Sequence, residues 1–246
     1  MKNKETNLEE VKNIALTLLH IDPEPTEFLF NIHPFITEFI RPFKINGEIK
    51  YININKNKEY YKKTLEEFTE RINKAEKVDY IFILMHKPYR PLYFKMISKY
   101  LSEKDYNEWL QEVWTGTENP NQDPNVSISK WISFFNKANK KLLMTEEDYN
   151  VYNSLPDNEP LIIYRGVGKG REPFGLSWTK NTNTAEWFAK RWQNDCPYMF
   201  RAKCYKKDVL AYFNVRGEDE LVVNVKNIFD VERIDLNGEH KETENS

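Results

Sequence analysis

Cysteine is almost missing from these 246 residues: Cys196 and Cys204 are the whole supply, without C-x-x-C spacing and beside four histidines. That scarcity excludes a disulfide framework and gives no sign of a structural zinc site, so both thiols read as reduced and intracellular. A run of about 18 apolar residues is also lacking. The opening MKNKETNLEEVKN is charged and has no apolar signal-peptide core, so the expectation is a soluble, cytoplasmic chain with no membrane partner. Charge of one sign is absent as well. Lys plus Arg number 36 against 38 for Asp plus Glu, a net charge of -2, which leaves no whole-molecule field to draw in nucleic acid.

What remains is a folded, polar-surfaced chain. Hydrophobic residues make up 40%, many of them aromatic, and the mean hydropathy is -0.74. The length suits one large domain or two modest ones. Leu8, Val11, Ala15, Leu18 and Leu19 recur at helical spacing, predicting a first amphipathic helix. The next stretch, TEFLFNIHPFITEFIRPF, reads as short or kinked helices around Pro34 and Pro42. Asn46-Gly47, between two alternating runs, signals a two-residue hairpin. Helices are then expected over 57–77, 91–101 and 103–114, with VDYIFILMH read as helix from its context.

TGTENPNQDPNVS is the one sharp compositional break. It divides a helical region, 1–116, from a linker loop, 117–127, and a second domain, 128–236. In that domain ISKWISFFNKANKKLLM and a start at Thr145 read as helices. After Pro160 six short apolar runs follow, LIIYRG, GLSWT, YMFRAKCY, VLAYF, ELVVNV and IFDVERIDL, interrupted by one helix, TAEWFAKRW, with Ala185, Phe188, Ala189 and Trp192 on one face. The polar tail 237–246 reads as disordered. The fold class is α+β, a helical region followed by a strand-rich unit.

Three short motifs in the strand-rich half carry chemistry. Arg165-Gly166 closes the first strand: a guanidinium there offers a rigid fork to phosphate oxygens, and the glycine lets a ligand approach the backbone. A lone arginine at a strand end is more commonly a surface ion-pair partner. Ser177-Trp178-Thr179 lies in the next strand, where alternation sends the two hydroxyls to one face; ordinary strand packing is the bland explanation. Glu218-Asp219-Glu220 precedes LVVNV, and alternation sends both glutamates to one face, an unfavourable pairing of like charges that invites a functional explanation over a solvated edge.

In this order, an Arg-Gly strand end, a Ser-x-Thr strand, an amphipathic helix and a Glu-x-Glu strand, residues 160–235 resemble the Arg-Ser-Glu class of mono-ADP-ribosyltransferases. The resemblance implies a split-sheet α/β core binding NAD⁺ in a cleft, with NAD⁺ as co-substrate and no metal. It implies that Arg165 contacts the NAD⁺ phosphates and ribose, that Gly166 lies close to the nicotinamide amide, and that Ser177, with Thr179 beside it, orients a glutamate. Glu220 is similar to the family's catalytic glutamate and Glu218 to the residue that engages an arginine acceptor. Phe213 to Gly217 stand in the place of the substrate-recognition loop, where Arg216 would meet a phosphate or a protein acid. Ser-Trp-Thr departs from the commoner Ser-Thr-Ser, and the eleven residues between Arg165 and Ser177 are fewer than in many members, which suggests a compact variant.

Phe174, in a Gly- and Pro-containing loop, is the aromatic best placed to stack on nicotinamide. Core packing is the expected role for most of the other aromatics near these motifs, Trp178, Trp187, Phe188 and Tyr212, and His33 and His86 read as packed or solvated. The expected activity is transfer of ADP-ribose to a macromolecule, protein before nucleic acid. NAD⁺ glycohydrolysis and an inert interaction module are the alternatives. The helical half would shield the cleft, bind the target or neutralise the enzyme, an inhibitor or helper protein is a further expected kind of partner, and the composition associates with a bacterial or phage toxin or effector.

Overall fold

The computed structural model describes residues 4–28, 30–191 and 196–236; Trp192 and the 237–246 tail, both named above, lie outside them. The chain forms two compact units, Met1–Thr117 and Glu118–Ser246. Among the described residues no helix is long and apolar enough to cross a membrane.

In the first unit α1 (Leu8–Leu19) buries Val11, Ala15, Leu18 and Leu19, the stripe read from spacing. α2 (Lys58–Asn73) starts where the Asn57 side chain accepts the Tyr60 N–H, and it buries Phe68 and Ile72. The apolar run after Lys77 is helical, α3 (Val78–Leu84). Val78, Ile81 and Phe82 are buried while Tyr80 and Ile83 are exposed, a helical period that no strand would produce. α4 (Arg90–Ile97) and α5 (Glu103–Gly116) complete the helices. Phe82 stacks on Trp109 at 3.8 Å, and the Trp109 indole N–H donates to Asp79 at 2.8 Å, so the core and its buried polar handle are satisfied together.

The expectation of kinked helices over 26–43 is wrong. β1 (Glu24–Pro25) pairs with β2 (Asn31–Ile32), and β3 (Ile40–Ile45) with β4 (Glu48–Asn53) around Asn46-Gly47. Both turn residues have positive φ, 51° and 86°, the two-residue hairpin geometry that Asn-Gly favours. Pro42 is tolerated because a two-stranded ribbon leaves each strand a free edge. His33 replaces a helical start: buried, it accepts the backbone N–H groups of Phe35 and Ile36 through Nδ1 at 3.0 and 2.8 Å.

The second unit is an antiparallel six-stranded sheet with helices packed on it. α6 (Ile128–Lys137), α7 (Lys140–Leu143) and α8 (Glu146–Ser154) come first. Ser127 and Thr145 cap α6 and α8 by accepting N–H groups three residues on, each worth about 1 kcal/mol. The six apolar runs all form strands: β5 (Leu161–Val167), β6 (Ser177–Thr179), β7 (Tyr198–Cys204), β8 (Val209–Phe213), β9 (Glu220–Val223) and β10 (Phe229–Asp235). The helix between β6 and β7 is α9 (Thr182–Lys190). Spatial order is β10-β7-β5-β6-β9-β8. α6 and α8 pack on β8, whose residues are all buried, and α9 packs across β5, β6 and β7.

The centre of this sheet is nearly cut. β5 pairs with β7 from Leu161↔Cys204 to Val167↔Tyr198, but it meets β6 at the single position Tyr164↔Thr179. Two half-sheets, β10-β7-β5 and β6-β9-β8, therefore diverge just beyond Tyr164, where Arg165 is next on β5 and Trp178 and Ser177 are next on β6.

Candidate functional site

Arg165 fills the divergence. Its side chain is almost fully buried, and its fork is held by three carbonyl oxygens: Nε donates to Pro173 at 3.1 Å, Nη2 to Glu172 at 2.8 Å and Nη1 to Ser177 at 2.7 Å. The guanidinium thus supplies donors where the β5–β6 ladder has none. A rigid planar cation with five N–H groups suits this role better than a lysine does. Burial pushes Arg165 down to about 10, opposed by the carboxylates of Glu220 and Glu172. It stays charged at neutral pH, and one N–H on each of Nη1 and Nη2 is left over from these three bonds.

The loop from Gly168 to Leu176 wraps this cation closely. A Cβ at Gly175 would lie 2.5 Å from Arg165 Nη2 and 2.7 Å from Asn121 Cγ, so only glycine lets the loop pass between them. Trp178, buried on β6, donates its indole N–H to the Gly175 carbonyl at 2.9 Å. Phe174 remains about half exposed and stacks on Phe200 of β7 at 5.0 Å, while Tyr198 meets Phe200 edge-on at 5.7 Å. Phe200 is the β7 partner of Arg165. An aromatic wall therefore borders the cation.

Ser177, Thr179 and Glu220 lie on paired strands, β6 and β9. Ser177 opposes Val222 and Thr179 opposes Glu220, and Glu220 also opposes Phe213 of β8. Glu220 is half-buried at the start of β9, close enough for its charge to act on Arg165. The Thr179 hydroxyl accepts the Asn181 N–H at 3.1 Å, ahead of the Asn181 side chain that caps α9, so it is already engaged in starting that helix.

Several expectations change. The alternation meant to place Glu218 and Glu220 on one face stops at Asp219, which has φ +49° and lies before β9. Asp219 accepts the Tyr212 hydroxyl, and its N–H goes to the Asn214 side chain at 3.2 Å, so Glu218 belongs to the turn and not to the strand. Phe213 is buried against Phe135 at 6.4 Å, a core residue; the exposed part of the proposed recognition loop begins at Asn214 and carries Val215 and Arg216 to the left-handed Gly217. Gly166 has a packing reason for being glycine: a Cβ there would lie 1.8 Å from the Ala185 carbonyl oxygen of α9.

The segment read as a linker is part of the second unit from Glu118 onward, and it touches the site. Asn121 accepts the Leu176 N–H at 2.6 Å and its Nδ2 lies 3.4 Å from Ser177 Oγ. Gln122 donates to the Gly170 carbonyl at 3.0 Å, and Arg171 pairs with Glu118 at 3.5 Å. Polar composition gave no hint of this; density in Asn, Asp and Pro is the same signal in a strap as in a connector. Glu172 and Tyr198, which also bear on Arg165, were likewise missed, being ordinary residues in their own segments.

The assembly is a buried, oriented cation, an aromatic wall, a hydroxyl and a carboxylate at the seam of two half-sheets. It has the parts to hold a phosphate-bearing, ring-containing ligand and to stabilise positive charge. Comparison of the chain with models of known families, with curated proteins and with solved structures finds no match.

Proposed function

We propose that the second unit cleaves NAD⁺ at its nicotinamide–ribose bond and transfers ADP-ribose to a macromolecular acceptor, protein before nucleic acid, with arginine as the expected acceptor side chain. The observation that carries this reading is the place of Arg165 at the seam where β5 and β6 separate, bonded to the Ser177 carbonyl and within reach of the Glu220 charge. These are the residues named by the resemblance to the Arg-Ser-Glu transferases, and the split sheet is the architecture it implies.

The chemistry suits the groups. Breaking the glycosidic bond sends the bonding electron pair to the pyridinium nitrogen, so neutral nicotinamide leaves and positive charge develops at the ribose carbon. A fixed carboxylate beside that carbon stabilises the charge as it forms, the role carboxylates fill in glycoside cleavage. Glu220 is assigned to it, with the Ser177 hydroxyl orienting it. The two remaining Arg165 N–H groups are assigned to the diphosphate, and Phe174, half exposed above Phe200, to the nicotinamide ring. The acceptor then attacks the ribose carbon and loses a proton, with the turn carrying Val215, Arg216 and Glu218 facing it.

The test is nicotinamide release from NAD⁺ by wild type and Glu220→Gln, alone and with cell lysate. Release should fall about 10²- to 10³-fold in the variant, the usual loss when one charge-stabilising group is removed. Labelled ADP-ribose on lysate protein identifies the transferase, and label on RNA moves the acceptor class. Release with no labelled macromolecule makes water the acceptor and the protein a glycohydrolase. No release and no NAD⁺ binding by wild type overturns the enzyme in favour of an inert module.

A further inference from the structure

We infer that Asn121 is a positioning residue that sets the direction of the Ser177 hydroxyl, an assignment that rests on the reading of Ser177 and Glu220 above. The 118–127 segment is tied down at both ends of a short strap. The Trp131 indole N–H donates to the Pro120 carbonyl at 2.9 Å, Gln122 bonds to Gly170, and the Asp123 side chain accepts the N–H groups of Asn125 and Val126 at 2.8 and 2.9 Å. Asn121 sits in the middle, half-buried, over the Leu176–Ser177 step.

The orientation of its amide is decided by the chain it faces. The Leu176 N–H, 2.6 Å away, needs an acceptor, so that atom is Oδ1. Nδ2 therefore points at Ser177 Oγ at 3.4 Å and can only donate. A hydroxyl has one proton and two lone pairs. With a lone pair taken by Asn121, the Ser177 proton is left to be given to a carboxylate, and Glu220 is the one assigned here. Arg165 meanwhile holds the Ser177 carbonyl, so the residue is fixed from both sides: its backbone by Arg165 and its hydroxyl by Asn121. The strap thus supplies a polar contact on which the orientation of the catalytic carboxylate depends.

Asn121→Asp isolates this role. The aspartate keeps an acceptor for the Leu176 N–H, so folding should be intact, but it faces Ser177 Oγ with an acceptor instead of a donor. The hydroxyl then turns its proton to residue 121 and away from Glu220. At pH 7.5 the expected result is a kcat for nicotinamide release lower by about 10- to 100-fold, the effect of losing one hydrogen bond to a charged group, with KM for NAD⁺ changed less than about 3-fold and the melting temperature unchanged. The loss should persist from about pH 8 down to about 5, because an aspartate stays ionised over that range and offers no donor. An active wild type with an unaffected Asn121→Asp kcat, or with a loss matched by a lower melting temperature, overturns the positioning role alone. A wild type that releases no nicotinamide overturns the site reading and this inference together.

Discussion

Replacing Gly166 by alanine separates two reasons for that glycine. One is close approach of the nicotinamide to the backbone; the other is close approach of α9. The added methyl would lie 1.8 Å from the Ala185 carbonyl oxygen, 2.7 Å from the Ala189 nitrogen and 2.8 Å from the Ala185 carbonyl carbon. All three are backbone atoms of one helix, so no side-chain rotation relieves the contact and α9 must move as a body away from β5, β6 and β7. Overpacking of this kind costs about 1–3 kcal/mol, and the rigidity of the obstacle puts the estimate at the upper end. For a unit of this size about 3 kcal/mol corresponds to a fall in melting temperature of about 10 °C. Thermal unfolding followed by far-UV circular dichroism, in the absence of NAD⁺, measures it. An unchanged melting temperature combined with weaker NAD⁺ binding would refute the packing argument and return Gly166 to the ligand.

Two other perturbations test the structure independently. Arg165→Lys leaves a compact ammonium where a planar fork reaches three carbonyls; the loss of the best-aligned bonds should cost about 3 kcal/mol, seen as a lower urea midpoint for the second unit, and an unchanged midpoint would contradict the seam-filling role. His33 is held neutral by burial, which lowers its pKa, and its Nδ1 must accept two N–H groups. Because the folded-state value lies below the unfolded one of about 6.5, its stabilisation is present above that pH and is lost as pH falls towards the lowered value. Urea midpoints should drop between about pH 7 and 5, and His33→Gln should flatten the slope; equal slopes would remove His33 from the cause. His86, lowered in the same direction by burial and Arg90, leaves some slope behind.

The elements were legible where one period dominated the sequence. Every apolar run after Pro160 became a strand, because Val, Ile, Leu and aromatic residues between polar breaks have no other way to be covered on a sheet. α3 was legible only with its context, since seven apolar-rich residues fit either period. Residues 26–43 were misread because the deciding feature is a side chain, His33, acting as a backbone acceptor, and hydrophobic spacing carries no record of that. The Glu218–Glu220 alternation failed for a related reason. It assumed extended backbone through Asp219, whereas the Tyr212 and Asn214 contacts hold that residue in a left-handed conformation.

Arg165 and Glu220 could be nominated from sequence, but their relation to the fold differs in a way that only the seam explains. Arg165 is buried and spends most of its donors on Glu172, Pro173 and Ser177, joining two half-sheets that share one ladder position. Glu220 is half-buried at the head of β9, and its backbone is secured by Thr179 and Phe213 on either side. Substitution of Arg165 therefore changes the seam's shape together with its charge, so it would not isolate the proposed phosphate contact. Substitution of Glu220 removes a carboxylate from a strand that stays in register. For the proposed reaction, the carboxylate, and not the arginine, is the position at which a loss of nicotinamide release would report on chemistry.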